Sequence, residues 1–582
     1  MLLFQRLGWF FRRYWHTYSL ALTMLFIVGL LNMAIPWVIG RSVDQILATH
    51  SMDNTRHYLI ILLLCGIAIY LLRYGWRRLL FGTSFHLANL FRRQFYQRLT
   101  KQGQAFYSAH STGDLMARAT NDIDAVESAA GEGILSGFDG MSTFILVVIM
   151  MFVFIDWRLA TVALIPFPFM GVFFYRLSST IHHQFRDTLD KFSTLNEQTQ
   201  QAIVGVRMIK AMGREEIEKQ QFDHIAEQAA HSNYHVERSE AKFDPVIQVS
   251  LGSSMLLTLL MGGWLIHQDQ LTVGQLTSFS LYLSQLIWPM FAFGWLMNIL
   301  QRGNAAIGRL YELLSLPDTI EDTGQLTPHG HEIAIESLTF TYPETRQPSL
   351  VDINVTLPEQ RVLGIAGPTG AGKSTLLQLL MRYWEVENGV ITLNDIPLRE
   401  LSLHALREQF AYVPQDAFLF STSILENIRM GKPDASDEDI YEAARLAAIH
   451  DDIVQFPEGY HTLVGERGVT LSGGQRQRVS IARALISDAA ILILDDALSA
   501  VDVGTEQTII RHLKQRESQS VIIVTHRLSA IEHANEIIVL SHGRIAERGT
   551  HQQLSQSNGW YSQMVAYQQM KQALDKDYHD EE

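Results

Sequence analysis

Six apolar runs, near 18–40, 58–82, 136–155, 159–178, 245–266 and 276–300, constrain this 582-residue chain more than any other feature. Wound as helices at about 1.5 Å per residue, each reaches across a hydrocarbon core of about 30 Å. A helix also satisfies every backbone N–H and C=O inside such a segment. The second run contains Arg73, which has to snorkel or face a polar interior. Only Asp156, Trp157 and Arg158 separate the third and fourth runs, and HQDQLTVGQ, without Lys or Arg, separates the fifth and sixth. These are short outside loops. The connections 83–135 and 179–244 carry Arg92, Arg93, Arg98, Lys101, Arg118, Arg186, Lys191, Arg207, Lys210 and Arg214. That bias places both in the cytoplasm. Both read as helical extensions of the spans with brief turns at their tips, and an even number of spans puts both termini on the cytoplasmic side.

The opening MLLFQRLGWFFRRYW is not a cleaved signal, because Arg6, Arg12 and Arg13 interrupt its apolar stretch and no small-residue cleavage site follows. Residues 1–17, with Trp9, Phe10 and Trp15, suit an amphipathic helix lying at the cytoplasmic membrane surface. The single cysteine, Cys65, sits in an apolar run, so this chain can form neither an internal disulfide nor a Cys-based metal site. A net charge of -14 argues against a nucleic-acid partner, which needs a surplus of Lys and Arg facing phosphates. In the last span, Trp288, Phe291, Phe293, Trp295 and Met297 form a stripe suited to packing or to a lipid, drug or peptide.

Beyond the spans the character changes. Over about 301–330, RLYELLSLPDTIEDTGQLTPHG begins as a short helix and becomes a linker containing Pro, Gly and Asp, assigned to 311–330, with a domain boundary near 320–330. From 331 to 570 strand-like runs (HEIAIESLTFTY, RVLGIAG, GVITLND, FAYVPQ, AAILILDD, SVIIVTH, NEIIVLSHG) alternate with helical segments, and an acidic tail occupies 571–582. The alternation predicts an α/β domain with a largely parallel central sheet.

Chemistry concentrates there. GPTGAGKST lies between the strand VLGIA and the helix STLLQLLMRY, the context of a phosphate-binding loop. It comprises Gly367, Pro368, Thr369, Gly370, Ala371, Gly372, Lys373, Ser374 and Thr375. Its glycines let backbone N–H groups approach phosphates, Lys373 can neutralise the β- and γ-phosphates, and Ser374 can ligate Mg²⁺. ILILDD delivers Asp495 and Asp496 to the C-terminal edge of a buried strand, where ligands of open α/β sheets collect. Asp495 is the expected Mg²⁺-side carboxylate. LSGGQ, ending in Ser472, Gly473, Gly474 and Gln475, opens the helix RQRVSIARALI and makes a second anion-binding helix start.

With these three motifs in this order, residues 331–570 resemble an ATP-binding cassette, and the whole chain resembles a bacterial half-transporter of the six-helix exporter type. The resemblance implies an all-α six-helix transmembrane domain over 18–310 followed by an α/β cassette, with ATP and Mg²⁺ as cofactors. It implies an obligatory dimer, because each ATP is held between the phosphate loop of one cassette and the LSGGQ of another. Ser472 to Gln475 would then serve the partner's nucleotide. Tyr342 in FTYPE resembles the adenine-stacking aromatic, Gln415 in YVPQ the glutamine that reaches Mg²⁺ and water, and His526 in VTHRLS the switch histidine at the γ-phosphate. Asp502 in SAVD resembles the dimer-contact loop, and TLVGERG an exporter loop near the membrane helices. Residues 106–127 resemble the first coupling region, and VGVRMIKAMGREEIEKQQF the approach to the second.

One position departs from the family pattern. Where hydrolytically competent cassettes carry Glu after the Mg²⁺-side Asp, this chain has Asp496. Its carboxylate is one methylene short, and a displacement of about 1 Å from the attacking water can cost on the order of 10²-fold. Such an Asp beside an intact LSGGQ implies a heterodimer in which this chain supplies the slow site and a second half-transporter the competent Lys and Glu. The alternatives are a homodimer with two slow sites and an ATP-gated regulatory subunit. The expected setting is the bacterial inner membrane, with lipid around the spans and a hydrophobic or amphipathic small molecule as substrate. Six spans exclude a soluble ATPase.

Overall fold

The computed structural model describes residues 2–49, 55–320, 322–343, 345–465, 471–516 and 519–579. The chain divides into two compact units, Met1–Leu99 with Thr112–Leu316, and Thr100–Ser111 with Pro317–Glu582. That division falls earlier than 320–330. Residues 311–314, the short helix expected at the start of that segment, are the last turn of the longer helix Ile287–Leu314, where Leu310 and Leu313 are buried. The linker that follows is tied to its own unit, since Gln325 and Leu326 donate backbone N–H groups to the Glu400 carbonyl at 3.2 and 3.1 Å.

In the first unit, six helices among the described residues are long and apolar enough to cross a membrane: Trp15–Ala48, Arg56–Leu99, Thr112–Ile155, Trp157–Val204, Glu215–His267 and Val273–Leu314. At 34 to 53 residues each, they extend for about 50–80 Å. The surplus over the bilayer is the helical extension expected of the basic connections. Asp156 closes the short turn between the third and fourth of these helices by accepting from the N–H groups of Arg158 (2.8 Å) and Leu159 (3.3 Å).

The first and sixth of these helices are joined by a ladder of hydrogen bonds. Pro36 lacks an N–H and so strips the Asn32 carbonyl of its helical partner. Gln285 Nε2 donates to that carbonyl at 3.4 Å, Tyr282 Oη donates to the Met33 carbonyl at 2.5 Å, and Ser278 Oγ donates to the Pro36 carbonyl at 2.8 Å. One turn further, Gly40 meets Gly274 so closely that a Cβ on either would strike the other's backbone. A further turn along, the Asp44 carboxylate accepts from Gly274 N and Thr272 Oγ1, both at 2.7 Å.

The N-terminal helix Leu2–Arg13 is amphipathic but does not turn all its aromatics to the membrane surface. Leu3, Leu7 and Phe10 share one face and are fully buried within the unit, whereas Phe4, Trp9 and Trp15 are exposed. Leu3 N donates to Asn304 Oδ1 at 2.9 Å and the Arg6 guanidinium lies over the Tyr311 ring at 4.5 Å, so the helix is seated on the end of Ile287–Leu314. The i, i+4, i+7 spacing of the buried trio builds a docking edge that the expectation for Phe10 overlooked.

The second unit contains a six-stranded sheet in the order β10-β9-β3-β8-β7-β6 and a four-stranded sheet in the order β2-β1-β4-β5. The larger consists of β3 (Val362–Ala366), β6 (Phe410–Val413), β7 (Ile491–Asp495), β8 (Ser520–Val524), β9 (Glu536–Ser541) and β10 (Arg544–Gly549). It is parallel except for β10, which runs antiparallel to β9. The smaller comprises β1 (Ile333–Phe340), β2 (Leu350–Leu357), β4 (Asn388–Leu393) and β5 (Ile396–Pro397), all antiparallel. The strand-like runs at 333 and 388 therefore belong to a separate sheet, packed over the phosphate-loop helix through Leu338, Leu350, Ile353 and Leu376.

Candidate functional site

β3 lies between β8 and β9 in the middle of the parallel sheet and ends at Ala366, so the next residues emerge at its C-terminal edge. Gly367 has φ 140° and a Cβ there would run into the Leu540 carbonyl; Gly370 and Gly372 have φ 80° and 99°. No other residue adopts this path without strain. The loop feeds the helix Lys373–Leu380, whose first residue folds its side chain back so that Nζ donates to the Gly367 and Pro368 carbonyls, each at 2.9 Å. Lys373 is only 8% exposed. Burial lowers the pKa of its ammonium, and the charges of Asp496 and Asp495 act the other way.

Asp495 ends β7 opposite Val524 of β8 and is buried. Ser374 Oγ donates to its Oδ1 and Tyr412 Oη to its Oδ2, both at 3.3 Å. Burial pushes its carboxyl pKa up, opposed by those two hydrogen bonds and by Lys373, while the neighbouring charge of Asp496 adds to the rise. Half-buried Tyr412 is also pushed up, by its partial burial and then by the same carboxylate.

Asp496 follows with φ 48°, a left-handed conformation that Asp tolerates better than most residues. Its backbone N–H donates to the Val524 carbonyl at 2.8 Å. Its Oδ1 is enclosed and has no hydrogen-bond partner. A buried carboxylate oxygen left so is costly, and it is satisfied when a water or a metal-bound water arrives. With Ser374 Oγ, Asp495 and the Gln415 amide beside it, the donor set is all oxygen and fits Mg²⁺.

These groups surround a cavity of about 820 Å³, lined by Thr369 to Thr375, Tyr342, Gln415, Asp495, Asp496 and His526. Gly367 and Pro368 stand behind it, holding Lys373. Tyr342 donates to Thr375 Oγ1 at 3.0 Å, and Phe340 and Trp384 meet its ring edge-on at 5.0 and 5.1 Å, so the ring is fixed at the cavity wall. Arg346, Gln347, Ser349 and His542 also line the cavity, and sequence reading did not single them out.

Ser472, Gly473, Gly474, Gln475 and Asp502 are not among the lining residues. Ser472 and Gln475 form a reciprocal cap on the helix Gly473–Leu485. Asp502 caps the helix Val503–Lys514 by accepting from Thr505 N at 2.9 Å. Of TLVGERG, residues 466–468 lie outside the described residues, while Val464 N donates to the Thr422 carbonyl at 2.9 Å. The segment 106–127 is split between the units, with Thr100–Ser111 grouped with the cassette strands. There Thr319 Oγ1 donates to Gln102 Oε1 at 2.8 Å. In the approach to the second coupling region, Val204, Met208 and Met212 are exposed.

Two supporting residues were missed because nothing in the motifs points to them. Gln568, on the helix Trp560–His579, donates from Nε2 to the His526 carbonyl at 2.7 Å and accepts from Leu528 N at 3.0 Å. Asp452 accepts from Gln475 Nε2 at 3.1 Å and from Arg478 at 2.8 and 3.2 Å. Burial raises the Asp452 pKa, but the hydrogen bonds from Arg478 and Gln475 outweigh it and the carboxyl lies below its ordinary value. A depressed folded pKa stabilises above the unfolded value of about 3.9, and the gain is lost as pH falls through the folded value. Asp452→Asn is expected to lower unfolding free energy near neutral pH by about 1.5 kcal/mol, the low end for a charged hydrogen bond because the pair is partly exposed. Thermal unfolding against pH should show the two proteins converging below about pH 4.

Comparison with known proteins agrees with this arrangement. The family described as ABC transporter transmembrane region matches residues 18–290, and that described as ABC transporter matches residues 350–499. The multidrug resistance-like ATP-binding protein MdlA of Escherichia coli (strain K12) is 45% identical over 578 residues, covering 99% of this chain and 98% of the relative. The probable multidrug resistance ABC transporter ATP-binding/permease protein YheI of Bacillus subtilis (strain 168) is 38% identical over 571 residues, covering 97% of each. The solved structure of a bacterial Atm1-family ABC exporter with ATP bound superimposes with a TM-score of 0.78 at 24% identity, covering 96% of this chain and 98% of that one, a likeness of fold. Six membrane-capable helices joined to a phosphate-loop α/β unit, matched along nearly their whole length, make this chain a multi-pass half-transporter of the ABC transporter family.

Proposed function

We propose that the chain is one subunit of a heterodimeric, ATP-driven exporter in the bacterial inner membrane, both termini in the cytoplasm, moving a hydrophobic or amphipathic small molecule outward. Family membership supports ATP-driven transport by a dimer, and the names of its relatives support a drug-like substrate. In this reading Tyr342 stacks on adenine, the loop Gly367 to Thr375 holds the phosphates, and Lys373 leaves its two carbonyls to neutralise them. Ser374, Gln415 and Asp495 hold Mg²⁺, which when bound neutralises charge between the β- and γ-phosphates. His526 reads the γ-phosphate, with its backbone pinned by Gln568.

Asp496 carries the asymmetric part of the proposal. Its enclosed, unpartnered Oδ1 is the group available to orient water, and its side chain is one methylene shorter than the Glu of competent cassettes. This chain therefore binds ATP and hydrolyses it slowly, while Ser472 to Gln475 complete the partner's faster site. Asp502 then takes part in the contact between cassettes. ATP binding closes the two cassettes and turns the membrane helices outward; hydrolysis at the partner's site resets them.

The test is co-purification of the partner and assay in liposomes. ATPase activity should fall to the slow rate of this chain's own site when the partner's catalytic Glu becomes Gln and fall only moderately with Asp496→Asn. Equal loss from both would overturn the asymmetry, and recovery of no second polypeptide would move the assignment to a homodimer. ATP-dependent accumulation of a labelled substrate separates a pump from an ATP-gated regulator.

A further inference from the structure

Across the six apolar runs a single acidic residue occurs, Asp139. It lies sixteen residues before Ile155, the outer end of its helix, and Trp288 lies fifteen residues after Val273, the outer end of the last span. At about 1.5 Å per residue both sit roughly 22–24 Å below the outer surface, at one depth in the inner half of the hydrocarbon. The indole N–H of Trp288 donates to Asp139 Oδ2 at 2.8 Å.

The two helices pack through small residues. A Cβ on Gly140 would meet Ala292 at 2.9 Å, one on Gly137 would meet Leu296 at 3.3 Å, and one on Gly133 would meet Ile299 at 3.3 Å. Asp139 thus stands at the edge of a tight seam. Beside that seam Trp288, Phe291 and Trp295 share one face of the last span and remain 51%, 50% and 53% exposed. At about 100° per residue Phe293 and Met297 fall on the opposite side, so the aromatic stripe of the sequence is two stripes, one of which carries the Trp288 bonded to the carboxylate. Among the described residues no ion pair neutralises Asp139; Arg73 of the second span acts on it through its charge alone.

A carboxylate facing lipid at this depth is costly, which turns this edge toward a water-accessible cavity. A fixed negative charge flanked by aromatic faces complements a hydrophobic body carrying one positive charge. We infer that Asp139, oriented by Trp288 and flanked by Phe291 and Trp295, forms a subsite for a lipophilic monocation in the membrane unit. This names a substrate class for the export proposed above and rests on the orientation used there. Arg73 is the internal competitor for the carboxylate, so its removal strengthens the site.

The test uses the purified full chain, with its partner if one co-purifies, in lipid nanodiscs, titrated with radiolabelled tetraphenylphosphonium and with tetraphenylborate, an anion of the same shape. Saturable phosphonium binding should weaken at least tenfold in Asp139→Asn, be retained in Asp139→Glu and tighten in Arg73→Gln. The borate should lose no affinity in Asp139→Asn. Asparagine keeps an oxygen for the Trp288 indole, and an unchanged unfolding temperature checks that the seam is intact. Absence of phosphonium binding, or equal binding by Asp139→Asn, overturns the subsite. Carboxylate-dependent binding without ATP-driven accumulation in liposomes keeps the subsite and defeats the export reading. Transport of another compound with phosphonium binding indifferent to Asp139 does the reverse.

Discussion

Lys373→Ala is expected to abolish nucleotide binding at this chain's own site. In the structure the ammonium is buried, held by the Gly367 and Pro368 carbonyls, and faces Asp495 and Asp496. Without it the triphosphate would enter a cavity whose nearest charges are two carboxylates. Breaking a buried charge set by removing one partner costs about 3–5 kcal/mol. At about 1.4 kcal/mol per decade that is a loss of affinity on the order of 10²- to 10⁴-fold. Titration of the purified chain with a fluorescent ATP analogue checks it. Lys373→Arg should fail nearly as badly, because a planar guanidinium does not replace a compact ammonium between two carbonyls. Near-normal affinity in either variant would remove Lys373 from the site.

Asp496→Glu should move in the opposite direction, as a gain. Restoring one methylene advances the carboxylate by about 1.5 Å, and if the shortfall costs on the order of 10²-fold, turnover at this site should rise by about that factor. The assay needs a partner whose own catalytic Glu is changed to Gln, so that the signal comes only from this chain. The backbone supplies a second readout. Position 496 has φ 48°, a conformation that disfavours most residues by about 1–2 kcal/mol and Asp by less. The Glu variant should therefore unfold slightly earlier while hydrolysing faster. Unchanged turnover would mean that the short side chain is not what limits this site.

The six spans and the phosphate loop were legible in the sequence because each rests on strictly local physics. Apolar length sets a membrane helix, and glycine spacing with Lys373 sets the loop. Strands were legible only as strands. The runs at 333 and 388 look like their neighbours, yet they pair antiparallel with each other, and the first of them also with Leu350–Leu357, in a second sheet, a partnership decided over distance. That strand, with Ile353, Val355 and Leu357 turned inward, was overlooked, as was the polar edge strand Arg544–Gly549. Within the site, the lining residues carried by motifs were foreseeable; Gln568 and Asp452 were not. Their contribution is a side-chain amide and a carboxylate placed against residues 42 and 23 positions away, and no pattern in the chain records it.

The ladder around Pro36 has a consequence for how the membrane helices can work. A proline in a spanning helix ordinarily supplies a joint, because the carbonyls it frees can exchange partners as the helix flexes. Here Gln285 donates to the carbonyl that Pro36 frees, Tyr282 and Ser278 donate to the Met33 and Pro36 carbonyls beside it, and the glycine contact and the Asp44 clasp hold the turns beyond. The helix is pinned at its proline rather than free there. Flexing at Pro36 therefore has to break these bonds or carry the helix Val273–Gln285 with it, which makes this stretch a tie between two spans rather than a joint within one.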